Sequence, residues 1–400
     1  RFYAAAPTWD QAKRIFWEDL KKLTPTWALR DGNRRTAILD GELSIFYANG
    51  VRLMVTGLDK PQRIEGEDWD GGVVTEYGNC KAGVLDEVIR PMLMRGGWVD
   101  IEGVPEGRNH YYELASAVQA GDRPDSTYHH WTTEEVLHLW LGEEKAAADI
   151  ANAQASMDRL LYQQEYLARF ISMEGQAYYA FDEDLNVAAG EGRAVYDPSR
   201  PLILCFDFNR NPGVCAYVQE HPAERYPWLR VNPRYKTVTA VIGEVFIRRG
   251  SNTRKVCDRI ISDWAEIHRD DVYLFGDATG GARTSQAVEG SDWDIIWDKL
   301  RPVFERRLKD LVARSNPPVR SRINAMNTRL VAADGSVGMV IDRKGAPNVI
   351  RDLEGVEAND KGEVVKEDDS PLSHISDALG YYIAEEFPCG PVVTTTVAGV

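Results

Sequence analysis

The chain has 400 residues, a net charge of −15 and 44% hydrophobic residues. This is longer than one average domain, so two are expected, and the apolar fraction is enough for packed cores and excludes a chain disordered by composition. The acidic balance excludes a protein that coats nucleic acid over its whole surface, so any contact with DNA has to use a local basic patch.

Five cysteines at irregular spacing, Cys80, Cys205, Cys215, Cys257 and Cys389, read as buried free thiols in a reducing compartment rather than as disulfides or zinc ligands. There is no apolar run of about 18 residues and no charged leader followed by an apolar core. A soluble, intracellular protein without a membrane partner is therefore expected.

In chain order, RFYAAAP reads as a strand already in progress, an abrupt opening that suggests a missing upstream element. Thr8 and Gln11 form a capping-box pattern, and Ala12, Ile15, Phe16, Leu20 and Leu23 mark the apolar face of a helix. Short strands follow over 34–57, joined by turns at Asp40-Gly41 and Asn49-Gly50. The strand holding Val73 and Val74 ends in Thr75-Glu76, and a further strand and loop, WVDIEGVPEG, precede a helix starting near Asn109. Residues 133–171 are helical and charged, and 175–200, acidic and aperiodic, read as a linker.

The second half opens on 201–212, PLILCFDFNRNP, an apolar run that delivers Asp207 and is stopped by Asn209, Asn211, Pro212 and Gly213. Strands are expected at 202–208, 214–219, 237–247 and 272–275, helices at 254–268, 301–314 and 373–385, and a hairpin at 337–342. The run DVYLFGDATGG carries Asp277 at the end of its strand. In the last helix His374 and Asp377 are three residues apart and share a face.

Asp207 alone is either a metal ligand on a rigid strand end or the cap of the turn that follows it. With Asp277 and Asp377 it completes a set of three carboxylates at element ends, the pattern of a metal nuclease. Mg²⁺ prefers oxygen ligands and few carboxylates. Two such ions roughly 3.5–4 Å apart can activate a water and steady the leaving oxygen of a phosphodiester. Without cations the acids repel one another.

Taken together, YAAAPTWDQAKRIFW, NGVRLMVTGLDKPQRIEG, VVTEYGN, GVPEGRNHYYEL, YQQEYLARFISMEGQAYYAFD, FDFNRNP, GDATGG, SNPPVRSRINAMN and SHISDALGYYI resemble, in order and spacing, the large terminase subunit of tailed bacteriophages. The resemblance implies an α/β chain with a P-loop ATPase-like domain, its first strand and loop absent, followed by an RNase H-like nuclease domain. It implies domains at 1–146 and 201–388, a helical region and linker at 147–200, and a tail at 389–400. Asp207, Asp277 and Asp377 match the family's metal-binding aspartates for two Mg²⁺ or Mn²⁺ ions, and His374 matches a histidine found in some members. Implied partners are double-stranded DNA, the portal protein, the small terminase subunit and further copies on the portal, in the cytoplasm of an infected host rather than in the virion.

Two departures bear on nucleotide chemistry. No stretch reads GxxxxGK[ST], so the phosphate loop either lies upstream of Arg1 or this molecule does not hydrolyse ATP. Thr75 stands where the family has an aspartate on magnesium, while Glu76 remains as the residue that would polarise water for ATP hydrolysis.

Other residues keep two readings. Glu244 is either a fourth carboxylate near the metals or, by alternation of faces, a strand acid facing solvent. His374 ligates a metal, holds a water or caps the last helix. The segment 301–330, with eight Lys/Arg including Arg306, Arg307, Arg314, Arg320 and Arg322 against Glu305 and Asp310, is either a DNA-contacting patch or a solvated helix face. The rival functions are a resolvase or transposase-type nuclease, and a degenerate prophage remnant that only docks on portal.

Overall fold

A computed structural model describes residues 1–107, 109–171, 175–188, 193–208, 211–232, 235–281, 290–359, 362–365 and 372–390. Asn209, residues 189–192 of the expected linker and the tail from 391 onward lie outside them. The chain divides into two compact units, Arg1–Trp131 with Ala168–Ile171, and Thr132–Leu167 with Ser172–Val400. The expected boundary at residue 146 falls inside the helix Glu143–Ser156, which with Thr133–Leu141 and Arg159–Glu165 belongs to the second unit.

The first unit is built on one sheet of β1 (Phe2–Ala6), β2 (Ile38–Leu39), β3 (Ser44–Phe46), β4 (Arg52–Gly57), β5 (Gly71–Val74) and β6 (Trp98–Ile101), in the order β2-β3-β4-β1-β5-β6. β4, β1, β5 and β6 run parallel, and the two expected turns join β2, β3 and β4 as antiparallel neighbours. Alternation places Tyr3 and Ala5 in one core and Ala4 and Ala6 in the other, so β1 is buried on both faces.

The helix after Thr8 departs from the expected face. Ile15 and Leu23 are exposed, whereas Ala12 and Trp17 are fully buried. Residues Lys13–Trp17 form a π-helical stretch, whose extra residue per turn shifts the apolar stripe so that positions five apart share a face.

The second unit carries a seven-stranded sheet. Its strands are β8 (Val187–Ala188), β9 (Leu202–Asp207), β10 (Gly213–Pro222), β11 (Thr237–Ile247), β12 (Val272–Gly276), β13 (Leu308–Asp310) and β14 (Met339–Asp342), in the order β13-β12-β9-β10-β11-β14-β8. β9, β10 and β11 form an antiparallel meander, while β12 runs parallel to β9, β13 to β12, β14 to β11 and β8 to β14. The short strands β7 (Gly175–Gln176) and β15 (Glu357–Ala358) pair separately.

Three sequence expectations change here. The stretch read as a linker supplies β7 and β8, and the fully buried Asn186 ties it to the carbonyls of Leu330 and Met339. Polar residues made this stretch look like a loop, but they satisfy buried backbone groups. The helix expected over 301–314 is Asp292–Phe304, started by a Ser291/Asp294 capping box and ended where Glu305 turns to φ 52°. The hairpin expected at 337–342 is the single strand β14 inside the parallel part of the sheet.

Helices cover both faces of this sheet. Leu202, Leu204 and Phe206 of β9 pack with Thr253–Trp264 and Asp292–Phe304. Ile203 and Cys205 face the helices Val319–Leu330, Pro347–Gly355 and His374–Glu386.

Candidate carboxylate site

Strand alternation decides where the first two acids point. Asp207 follows Ile203 and Cys205, and Asp277 follows Tyr273 and Phe275, so both lie on the face covered by the last helix. β12 is parallel to β9 with Gly276 beside Phe206, which makes Asp277 the next position along from that pair, and its N–H donates to the Phe206 carbonyl at 3.2 Å. Gly276 has φ 155°, and a Cβ there would sit 2.4 Å from the Phe206 oxygen, so no side chain is tolerated at this crossing.

The last helix supplies the third acid. Ile375, Ala378, Leu379, Tyr382 and Ile383 enter the core, which leaves His374, Asp377 and Tyr381 on a face turned to the strand ends. The His374 Nδ1 lies 3.3 Å from Asp207 Oδ2. Burial pushes the Asp207 carboxyl above its usual range; His374 opposes this, while Asp377 and Asp277 add to it. All three aspartates also raise the Tyr381 hydroxyl, after burial as the main cause, so that ring stands beside the whole set.

Asp277 is held by its own loop. Its Oδ1 accepts from Thr279 N at 2.7 Å, Thr279 Oγ1 at 2.6 Å and Asn316 Nδ2 at 2.7 Å. The Asn316 Oδ1 in turn accepts from Ala278 N, and Trp293 Nε1 donates to the Asp277 carbonyl. Asn316 was not singled out from sequence; an asparagine before two prolines carries no signal beyond a turn.

Arg322 moves from the expected DNA surface into this cluster. It is 6% exposed, its Nη2 donates to Asp377 Oδ1 at 3.1 Å, and its guanidinium lies 4.2 Å from the centre of the Tyr381 ring. The signal was in the helix period: Arg322, Met326 and Arg329 share one stripe, and all three are buried. Arg329 pairs with Glu220 at 3.1 Å, so two of the eight cations of 301–330 are interior. Arg307 is half-buried and donates to the His268 carbonyl at 2.9 Å. The charge of Arg320 partly offsets the burial that pushes the Asp158 carboxyl up to about 6. Arg306 and Arg314 are exposed.

Glu244 belongs elsewhere. It accepts from Asn348 N at 3.0 Å and Val349 N at 3.0 Å, the first donors of the helix Pro347–Gly355. Rather than facing solvent, its carboxylate satisfies a helix N-terminus.

Burial and the neighbouring charges of Asp377 and Asp277 disfavour the ionised form of Asp207, a demand that a divalent cation on oxygen donors would meet. As placed, each acid is engaged by protein groups, Asp207 by His374, Asp277 by Asn316 and Thr279, and Asp377 by Arg322. Among the described residues, no group of three or more His, Cys, Asp or Glu is spaced to hold a metal ion.

In the first unit, Thr75 is buried at the end of β5 and its N–H donates to Ala5 O at 2.9 Å. Glu76 follows in the left-handed region, φ 53° and ψ 42°, where the chain turns off the sheet. Tyr77 N donates to Glu102 O, joining the carboxyl ends of β5 and β6.

Two α/β units follow one another along the chain, the first on a largely parallel sheet and the second on a mixed sheet. A crystal structure of the large terminase from a thermophilic bacteriophage matches 96% of this chain and 86% of its own, at 16% identity and a TM-score of 0.51. Another crystal of that phage protein, in complex with ADP, matches 96% and 85% at 15% identity and a TM-score of 0.50. No protein-family model and no curated protein matches the sequence. The chain shares the fold of these phage large terminases. Among the described residues no helix is long and apolar enough to cross a membrane.

Proposed function

We propose that the chain is a large terminase subunit whose second unit is a two-metal endonuclease that cuts concatemeric double-stranded DNA for packaging. The observation that carries the reading is the convergence of Asp207, Asp277 and Asp377 from β9, the end of β12 and the last helix. The strand order β11-β10-β9-β12-β13, an antiparallel meander followed by two strands parallel to its first member, supports an RNase H-like fold for this unit.

Asp207, Asp277 and Asp377 would hold the cations, with oxygen donors suited to Mg²⁺ or Mn²⁺. When bound, two such ions supply an activated water and a stabilised leaving oxygen at the scissile phosphodiester. His374 orients the Asp207 carboxylate, and Asn316 and Thr279 fix that of Asp277. Arg306 and Arg314 present exposed guanidinium groups for the DNA backbone. Portal, the small subunit and further copies of the chain are the partners that follow, and Glu76 is the residue for any ATP hydrolysis in the first unit.

The test is plasmid cutting in Mn²⁺. Asp207→Asn and Asp277→Asn each abolish cutting while the far-ultraviolet spectrum and melting temperature stay near those of the wild type; cutting by either variant at the wild-type rate refutes the reading.

A further inference from the structure

The helix Val319–Leu330 brings a positive charge to the acid that the last helix supplies. Arg322 is almost wholly buried, donates from Nη2 to Asp377 Oδ1 at 3.1 Å and stacks over Tyr381 at 4.2 Å. Its Nε has no hydrogen-bond partner among the described residues. A buried ion pair rarely adds stability over a packed apolar pair of the same volume, and an orphaned N–H makes it worse. Met326, on the next turn of the same helix, shows that this stripe accepts an apolar residue. What the guanidinium does supply is charge balance beside three aspartates, at an oxygen that a divalent cation would also use.

On the nuclease reading above, we infer that Arg322 is a built-in counter-ion that competes with the second divalent cation for Asp377. Cation binding at Asp207 and Asp277 leaves the Arg322–Asp377 pair intact, whereas binding that engages Asp377 Oδ1 requires the guanidinium to withdraw. The two ions therefore bind unequally, and the weaker step reports on Arg322. Arg322 acts as a positioning residue, through Asp377.

The experiment is Mn²⁺ titration of the full chain, followed by calorimetry and by the electron-spin signal of free Mn²⁺, in the absence of DNA. The wild type shows a tight and a weak site at the cluster. A nearby opposite charge moves a carboxylate's proton affinity by about tenfold or more, so Arg322→Met tightens the weak site by about that factor, while Arg322→Lys, which keeps the charge, stays near the wild type. Equal affinities for both ions in the wild type overturn the inference without any variant, should Arg322→Met fail to fold. An unchanged weak site in a folded Arg322→Met protein overturns it as well and leaves the nuclease reading standing. Absence of Mn²⁺ binding in the wild type, or Mn²⁺ binding unaffected by Asp207→Asn, defeats the nuclease reading and the inference with it.

Discussion

His374 Nδ1 and Asp207 Oδ2 meet at 3.3 Å across 167 residues of chain. The imidazole opposes the burial that pushes the Asp207 carboxyl up. Replacing it with alanine therefore raises that carboxyl further, so the acid ionises at higher pH. We expect His374→Ala to lower Mn²⁺-dependent cutting by about 10- to 100-fold, the range for groups that orient a metal's ligands, and to shift the rising limb of the pH–rate profile upward. A profile superimposable on the wild type at every pH would show that His374 only starts the helix.

Glu244 makes a contrasting case, since its carboxylate serves a helix end and not the cluster. Glu244→Ala leaves the amides of Asn348 and Val349 without their acceptor, a loss of about 1–3 kcal/mol. Urea unfolding should register that loss, while cutting per folded molecule is retained. Loss of cutting with unchanged stability would restore Glu244 to the metal site.

Asp352 is fully buried, accepts from Ser376 N and Ser376 Oγ at 3.2 Å each, and burial pushes its carboxyl up to about 6. Because the folded state holds a proton that the unfolded chain releases at its ordinary carboxylate pKa, this group makes stability fall as pH rises from about 4 to about 6, with the penalty complete above that. Asn keeps an acceptor for Ser376 and does not ionise. Asp352→Asn should then match the wild type near pH 4 and exceed it at pH 8 by up to about 3 kcal/mol. Parallel stability curves for the two proteins across this range would contradict the argument.

Arg306 and Arg314 are two of the exposed cations of the segment 301–330 and carry the DNA-contact reading. Each alanine variant should weaken duplex binding irrespective of sequence and lower the slope of log affinity against log salt by about 1. Arg307→Ala tests the difference from a structural cation: with its guanidinium on the His268 carbonyl, it should lose stability with little change in that slope. Equal slope changes for all three would make the whole segment a DNA face.

Much of the second unit was legible because its signals are local. The apolar runs that deliver Asp207 and Asp277 are strands, ending at Asp207 and Gly276, and the His374/Asp377 spacing lies on one helix face. Period-2 and period-3.6 patterning reports such elements without knowledge of their neighbours. The helix expected over 301–314 lies instead at Asp292–Phe304, because its start depends on the Ser291/Asp294 reciprocal bonds.

The residues that changed role did so for one reason. Arg322 and Arg307 read as surface charges, and Glu244 as either a metal-site carboxylate or a solvent-facing acid, because charged side chains are rarely interior without a partner. Each is instead paired with a group distant in sequence, Asp377, the His268 carbonyl and the Asn348–Val349 amides. No local pattern encodes a partner that only folding supplies.

By itself, then, the order of residues determined which segments become strands and helices and which three acids end them, since those depend on neighbours along the chain. Only the tertiary structure decided that Asp207 and Asp277 share a sheet face under the last helix, and that Asp377 arrives already bound to Arg322. Charge pairing in an interior depends on distances through space, and those are set by how the sheet and its covering helices pack.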